Sequence, residues 1–303
     1  MNALGHHVFS IGRRALTATR RLGRKRPAPM RKAKLYIRPV AVHTVMTAVS
    51  VIGCGNMGGA FLKGLSETEQ YTLTACDLDP EAREAVAPYC AETTADIDVA
   101  ADADVVVVAV KPKVIRTVLE DLELSTDQTL LSIVAGVPTD LIEPYTDARV
   151  VRVMPNLAAE TGNMAAAVTA DTVTDEVRAI LEAVGEYVEI DESQMDVATA
   201  VNGSGPAFVF YLIQAMKDAG VEGGLEEEQA TVLAAQTFKG ASETVLRSEK
   251  SIDELIDAVC SPNGTTIEGM DVLWDSTADD AVADAVRAAE RRSAELAEER
   301  TDE

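Results

Sequence analysis

The residues with the plainest chemistry lie in Val49-Ser50-Val51-Ile52-Gly53-Cys54-Gly55-Asn56-Met57-Gly58-Gly59-Ala60. Apolar and small residues run into a Gly-x-Gly-x-x-Gly turn, and Ala60-Phe61-Leu62-Lys63-Gly64-Leu65 continues at helical spacing. The pattern predicts a strand, a tight turn and a helix N-terminus. Gly53 permits the turn, Gly55 leaves the backbone open to a pyrophosphate, and Gly58 lets the helix pack against the strand. Free N–H groups and the positive end of the helix then face the phosphates. Ile52 through Gly58 are the core of the expected dinucleotide site. The alternative is a glycine-rich turn without a ligand.

Other candidates follow at the ends of apolar runs. Tyr71–Asp77 reads as a second strand ending on an acid 24 positions after Gly53, where a carboxylate accepts from ribose hydroxyls. Asp79 follows two residues later. Both acids would repel a 2′-phosphate, and no Lys or Arg follows them until Arg83, so the pair suits NADH at least as well as NADPH. Read otherwise, they belong to a generally acidic surface. Ala103–Val110 reads as a buried parallel strand ending in Lys111-Pro112, Thr129–Val134 as one ending in Ala135-Gly136, and Arg149–Met154 as one ending in Pro155-Asn156. Ligands of a parallel sheet bind beyond its carboxyl ends. Ala109, Val110, Pro112, Ala135, Gly136 and Asn156 therefore join the cofactor candidates. Lys111 is either a cation beside the nicotinamide or substrate, or a solvated lysine after a strand. Asn156 either bonds the cofactor or makes a turn.

Composition excludes several chemistries. The 303 residues carry 27 Lys and Arg against 50 Asp and Glu, a net charge of −23. Eleven of the basic residues and none of the acidic ones lie in residues 1–45, so residues 46–303 carry 16 basic and 50 acidic residues, a net of −34. That density argues against a nucleic-acid partner and fits a halophilic, high-salt cytoplasm, where ions screen self-repulsion. His6, His7 and His43 all precede residue 46, which excludes a Ser-His-Asp hydrolase and a histidine-based dehydrogenase in the remainder. Cys54, Cys76, Cys90 and Cys260 have no metal-ligand spacing, so no metal is expected, and they read as free thiols of a reducing compartment. No apolar run is long enough to span a membrane.

These residues need a scaffold, and two patterns supply it. Residues 46–192 alternate strands and helices, with helices expected over Pro80–Tyr89, Val114–Leu122, Thr139–Tyr145 and Asp175–Val184, a short strand near Ala91–Thr94, and strands at Ala165–Thr169 and Tyr187–Ile190. From Ser193 the spacing turns helical, over Met195–Val201, Pro206–Ala219, Leu225–Arg247, Ile252–Val259, Thr265–Leu273 and Thr277–Arg300. The fold class is an α/β Rossmann-type nucleotide-binding domain, residues 46–192, followed by an all-α dimerisation domain, residues 193–303. Its Ala-rich faces exceed what one small domain buries and call for a homodimer or higher homo-oligomer. Residues 1–45 read as a targeting peptide, a basic arm or translated sequence upstream of a true start at Met46, with the last favoured.

Beyond the glycine turn, Ala-Val-Lys-Pro at 109–112, Arg-Val-Met-Pro-Asn at 152–156, Gly-Ser-Gly-Pro-Ala-Phe at 203–208 and Cys-Ser-Pro-Asn-Gly-Thr-Thr at 260–266 follow in order. Together they closely resemble pyrroline-5-carboxylate reductase over about residues 46–300. The resemblance implies reduction of the ring C=N of 1-pyrroline-5-carboxylate by NADPH or NADH, the last step of proline synthesis, in the cytoplasm. It also implies that Thr266 contacts the substrate nitrogen and that Glu249 lies near the loop, an acid whose other reading is plain surface. Ser261, Gly264 and Thr265 stand at an expected helix start, where N–H groups and hydroxyls would hold the substrate carboxylate. The other reading is an ordinary capped helix. Without histidine, catalysis would rest on positioning and electrostatics. Ser204 is expected either at a close chain approach or as a helix cap.

The chain departs from the family in three places. Asn263 stands where it has a glycine, Leu157-Ala158 where it has Thr-Pro, and Asp77 with Asp79 oppose NADPH. Asn tolerates left-handed dihedrals, so the loop is expected to survive. Two other activities share parts of the pattern. A β-hydroxyacid dehydrogenase would want a mid-chain helical lysine in a glycine-rich setting, which Lys217 and Lys239 lack. A dinucleotide sensor would bind NADH without turnover.

Overall fold

The computed structural model describes residues 46–169 and 173–301, with side chains to residue 297. The expectation for residues 1–45 lies outside the described residues. Eight strands form one sheet in the order β3-β2-β1-β4-β5-β6-β7-β8. They are β1 Thr47–Ile52, β2 Tyr71–Cys76, β3 Glu92–Thr94, β4 Val105–Val108, β5 Thr129–Ser132, β6 Arg149–Met154, β7 Met164–Thr169 and β8 Gly185–Ile190. The first six pair in parallel, β7 runs antiparallel to β6, and β8 is parallel to β7.

One register line places the strand ends. Cys76, Ile52, Val108, Ser132 and Arg152 are successive partners across β2, β1, β4, β5 and β6. Asp77, Gly53 and Ala109 follow them directly, so residues far apart in sequence meet at one carboxyl edge. The runs are apolar on both faces because both faces are covered. Val49, Val51, Val105 and Val107 pack with Phe61, Leu62 and Leu65 of α1 (Asn56–Ser66) and Val177, Ile180 and Leu181 of α5 (Asp175–Val184). Ile52, Val106, Val108 and Leu130 pack with Ala100 of α3 (Ile97–Ala101) and Leu119 of α4 (Ile115–Asp121).

The short elements differ most from expectation. The helix expected over Pro80–Tyr89 is α2, Pro80–Val86, followed by a 3₁₀ turn at Ala87–Tyr89. The one expected over Thr139–Tyr145 is two 3₁₀ turns, Thr139–Leu141 and Glu143–Tyr145, broken where Pro144 lacks an N–H. The sequence reading gave no element to α3, which Asp96 caps by accepting from the Asp98 N–H.

From residue 195 the chain is helical: α6 Met195–Ala198, a π turn Thr199–Gly203, α7 Gly205–Glu222, α8 Glu227–Arg247, α9 Ile252–Val259, α10 Thr265–Trp274 and α11 Ala278–Thr301. No residue of α7, α9 or α10 is buried, and α8 buries only Ala230 and Ala234. Among the described residues, no helix is long and apolar enough to cross a membrane.

Candidate functional site

The glycine turn has the three geometries that its spacing requires. Gly53 has φ +99°, in the region that favours glycine, and a Cβ there would lie 2.8 Å from the Ala109 carbonyl oxygen. A Cβ on Gly58 would lie 1.9 Å from the Gly53 carbonyl oxygen, so helix and strand approach only without it. A Cβ on Gly55 would meet nothing within 4 Å. That opening lies over the start of α1, where Gly55 supplies no side-chain cap and the first N–H groups lack intrahelical partners. The turn therefore has the room and the free N–H groups that a dinucleotide pyrophosphate would need.

Asp77 faces this turn. Its carboxylate accepts from the Cys54 N–H at 2.7 Å and the Asp79 N–H at 2.9 Å. It is thus fixed beside the phosphate cradle, where adenosine ribose hydroxyls would fall. Asp79 is placed differently: its carboxylate caps α2 by accepting from the Glu81 N–H at 3.0 Å. Arg83 reaches back from α2 and donates to the Asp77 carbonyl oxygen at 2.5 Å. A cation therefore stands at the strand end that the sequence reading treated as purely acidic. Burial first, and then the Asp77 charge, push the Cys54 thiol up to about 12, and burial pushes Cys90 to about 11. Both stay protonated at neutral pH and supply no nucleophile. All four cysteines are free thiols.

Along the same edge, Ala109 and Val110 are half-buried, Pro112 opens a short turn, and Lys111 is exposed beside them. Ala135 and Gly136 line a cavity of about 210 Å³ with Thr199, Ser204 and, from α11, Arg292 and Ser293. Ser204 makes no side-chain cap, so the expected helix cap is replaced by a π turn, closed by the Ser204 N–H donating to the Thr199 carbonyl at 3.0 Å. Asn156 is buried at the end of β6. Its Oδ1 accepts from the Ala158 and Ala165 N–H groups, and its Nδ2 donates to the Asn202 carbonyl. The side chain thus braces the strand end from within, which is the turn-making alternative in a stronger form.

The other half of the expected site stands apart. Asn263 has φ +58°, taking the left-handed conformation that its place in the loop demands. The Gly264 N–H donates to the Ser261 carbonyl at 3.0 Å, and Gly264 caps α10 without a side chain, leaving the Thr265 and Thr266 N–H groups at a free helix start. Ser261, Thr265, Thr266 and Glu249 are exposed. Among the described residues, no hydrogen bond joins the 260–266 loop to the sheet edge, and the loop lines no wall of the cavity there. The structure gathers the cofactor candidates and leaves the substrate candidates on the exposed helical domain.

Sequence reasoning missed two groups. Asn202 precedes the Gly-Ser-Gly-Pro motif by one position, a polar residue in an Ala-Val run. Arg152, 5% exposed, pairs with Glu192 at 3.0 Å, and Glu192 also accepts from the Thr139 hydroxyl and N–H. An arginine between valines, in the buried part of a strand, was the available signal.

A mostly parallel sheet with an open glycine turn after its first strand, an acid beside that turn and a helical domain after it defines a dinucleotide-dependent oxidoreductase. Residues 48–136 match the family model described as NADP oxidoreductase coenzyme F420-dependent, and residues 192–296 match pyrroline-5-carboxylate reductase dimerisation. Pyrroline-5-carboxylate reductase of Methanosarcina acetivorans is 36% identical over 82% of this chain and 97% of its own. That of Pseudomonas aeruginosa is 37% identical over 83% and 97%. The chain belongs to the pyrroline-5-carboxylate reductase family. Among solved structures, that of Coxiella burnetii superposes with a TM-score of 0.75 at 31% identity, covering 83% of this chain and 99% of that one. The Plasmodium falciparum enzyme, solved with NADP bound, gives 0.71 at 28% identity, covering 83% and 98%.

Proposed function

We infer that this chain reduces the ring C=N of 1-pyrroline-5-carboxylate to give proline, using NADPH or NADH. The observation that carries the reading is the open cradle at Gly55, in a chain whose helical half matches the dimerisation domain of that reductase. When bound, the reduced nicotinamide supplies the hydride that adds to the imine carbon.

The chain's own residues bind and orient. The N–H groups of the Gly55–Gly58 turn hold the pyrophosphate, and Asp77 accepts from the ribose. The N–H groups of Thr265 and Thr266, with the Ser261 hydroxyl, hold the substrate carboxylate at the start of α10. The Thr266 hydroxyl orients the ring nitrogen and assists its protonation, with solvent as the source of the proton. Lys111, exposed at the end of β4, adds positive potential towards the anionic substrate. Glu249, twelve residues before Ser261, matches an acid that the family uses near this loop. Catalysis rests on positioning and electrostatics, since no histidine lies in residues 46–303.

Oligomer formation follows from the same division. Phe210 is 67% exposed, Tyr211 75% and Val272 70%, more apolar surface than a lone domain leaves in water. A homodimer or larger assembly would cover it and bring a 260–266 loop to a sheet edge of another copy. The acidic surface suits a salt-rich cytoplasm.

The test is initial-rate oxidation of NADH and, separately, NADPH with 1-pyrroline-5-carboxylate in molar KCl. Turnover is expected, and Thr266→Ala should lower kcat/KM about a hundredfold. Dinucleotide binding without turnover would overturn the reading in favour of a sensor, and turnover of a β-hydroxyacid instead would favour the dehydrogenase. A preference for NADH would support Asp77 as the discriminating residue. A preference for NADPH would give that role to Arg83, whose guanidinium stands where a 2′-phosphate would need a cation.

A further inference from the structure

Asn202 lies in the π turn between α6 and α7, and its side chain points back to the sheet. Its Nδ2 donates to the Met154 carbonyl at 2.6 Å and to the Ala165 carbonyl at 2.9 Å. Its own carbonyl accepts from Asn156 Nδ2 at 3.1 Å. The antiparallel pairing of β6 and β7 ends at Met154 with Ala167, just before Pro155, which has no N–H to extend it. Two asparagine side chains take over there: Asn156 receives the Ala165 N–H at 3.3 Å, and Asn202 donates to the two carbonyls.

Both N–H bonds of the Asn202 amide are used, which fixes the orientation of the group, and its Oδ1 is buried without a hydrogen-bond partner. An unpaired buried acceptor costs stability. A residue chosen for stability alone would not leave one, and π turns recur at functional positions. The adenosine half of the site lies over β1 and β2, beside Asp77, so the nicotinamide half falls over β4, β5 and β6. The Met154–Asn156 turn ends that half.

We propose that Asn202 is a positioning residue for the nicotinamide: acting through Met154 and Asn156, it locks the end of β6 into the shape that receives the ring. The inference rests on the dinucleotide reading of the edge and on no particular substrate. A bound ring would be gripped by a turn that the helical domain holds from behind, so the two domains would be coupled at this point.

The test compares ligands with and without the ring. Dissociation constants of the full-length protein are measured for NADH, NADPH, ADP-ribose and its 2′-phosphate, for wild type, Asn202→Ala and Asn202→Ser. Asn202→Ala should weaken the nicotinamide-bearing ligands about three- to tenfold, the scale of one or two lost hydrogen bonds, and leave the ring-free ligands within about twofold. Asn202→Ser keeps one donor and should fall between. Equal weakening of both ligand classes, or no change in either, would overturn the proposal. If Asn202→Ala does not fold, Asn202→Ser carries the same comparison. Wild-type turnover of 1-pyrroline-5-carboxylate is recorded alongside. Its absence would count against the proposed reaction, while the ring-dependent difference in binding would still decide the role of Asn202.

Discussion

The nucleotide domain and the helical domain solve the problem of apolar surface in opposite ways. Every residue of β4 and β5 is buried, and α1 and α5 turn their apolar faces to the sheet. In the helical domain, α7 has eighteen residues and buries none, although it carries Phe210, Tyr211 and Leu212. The first domain completes its core within one chain. The second leaves its long helices largely exposed. Function divides along the same line: the groups that would hold a dinucleotide are already assembled, whereas those that would hold the imine sit at the exposed start of α10.

The sharpest way to break this contrast is to damage the self-sufficient half. In Gly58→Val, the Cβ would fall 1.9 Å from the Gly53 carbonyl oxygen, a backbone atom that cannot yield without moving β1 or α1. We expect loss of measurable dinucleotide binding, by at least about a hundredfold, and a severe loss of stability, comparable to the several kcal/mol of an overpacked core. Titration of NADH fluorescence and thermal unfolding check it. A stable variant with unchanged affinity would mean that the turn has room the structure denies it.

Damage to the dependent half should have the reverse signature. Phe210→Glu places a charge on a 67% exposed ring position. If the face is an interface, burying that charge costs several kcal/mol and the oligomer should dissociate. Light scattering should then report a smaller species, with turnover reduced more than tenfold by the loss of a central apolar contact. Dinucleotide affinity should stay within about twofold of wild type, because no cradle residue is touched. A monomer with full turnover would show that each chain carries a complete site.

How much of this was legible in the sequence follows the same division. Glycine roles at 53, 55 and 58, the strand ends at 109, 135 and 156, and the acid at 77 are consequences of local pattern plus a parallel sheet. Each lies along the expected edge, although β4 and β5 end at Val108 and Ser132, two residues short of the expected Val110 and Val134. The capping role of Asp79 was legible, since a helix expected from Pro80 makes the preceding acid its N-cap, but the ribose reading was preferred for it. Arg83 was visible as a residue but not as a neighbour of Asp77, since only the turn of α2 brings its guanidinium back. Asn202 was hidden for a similar reason: its partners, Met154 and Ala165, are 48 and 37 positions away. The separation of the 260–266 loop from the sheet edge was equally invisible, because motif order says nothing about which residues meet in space.

Asn263 gives a smaller and more local test. At φ +58° an alanine pays the left-handed penalty that asparagine tolerates and glycine escapes. Asn263→Ala should cost about 1 kcal/mol in stability, while Asn263→Gly should be close to neutral. Urea unfolding of the two variants measures the difference. A larger loss in kcat/KM than in stability for the alanine variant would place the strain on the substrate loop. Equal stability of the two would remove the conformational argument for this position.

The smallest expected effect lies where the domains meet. Burial alone would raise the Glu192 carboxyl, but the Thr139 hydroxyl and N–H and the Arg152 guanidinium outweigh it and hold the group below its ordinary value of 4.5. A carboxyl depressed on folding adds stability that is complete above its unfolded value and fades as pH falls through its folded value. Wild type should therefore lose this contribution below about pH 4.5, whereas Glu192→Gln, which does not titrate, should lack it at every pH. The urea midpoints of the two proteins should differ at neutral pH and converge in acid. Because Glu192 bridges Thr139, after β5, to Arg152 on β6, convergence would tie the acid sensitivity of the protein to the carboxyl edge of the sheet. A difference that stays constant from neutral pH to acid would mean that the carboxylate contributes only its shape and its hydrogen bonds, and that its charge does nothing for the fold.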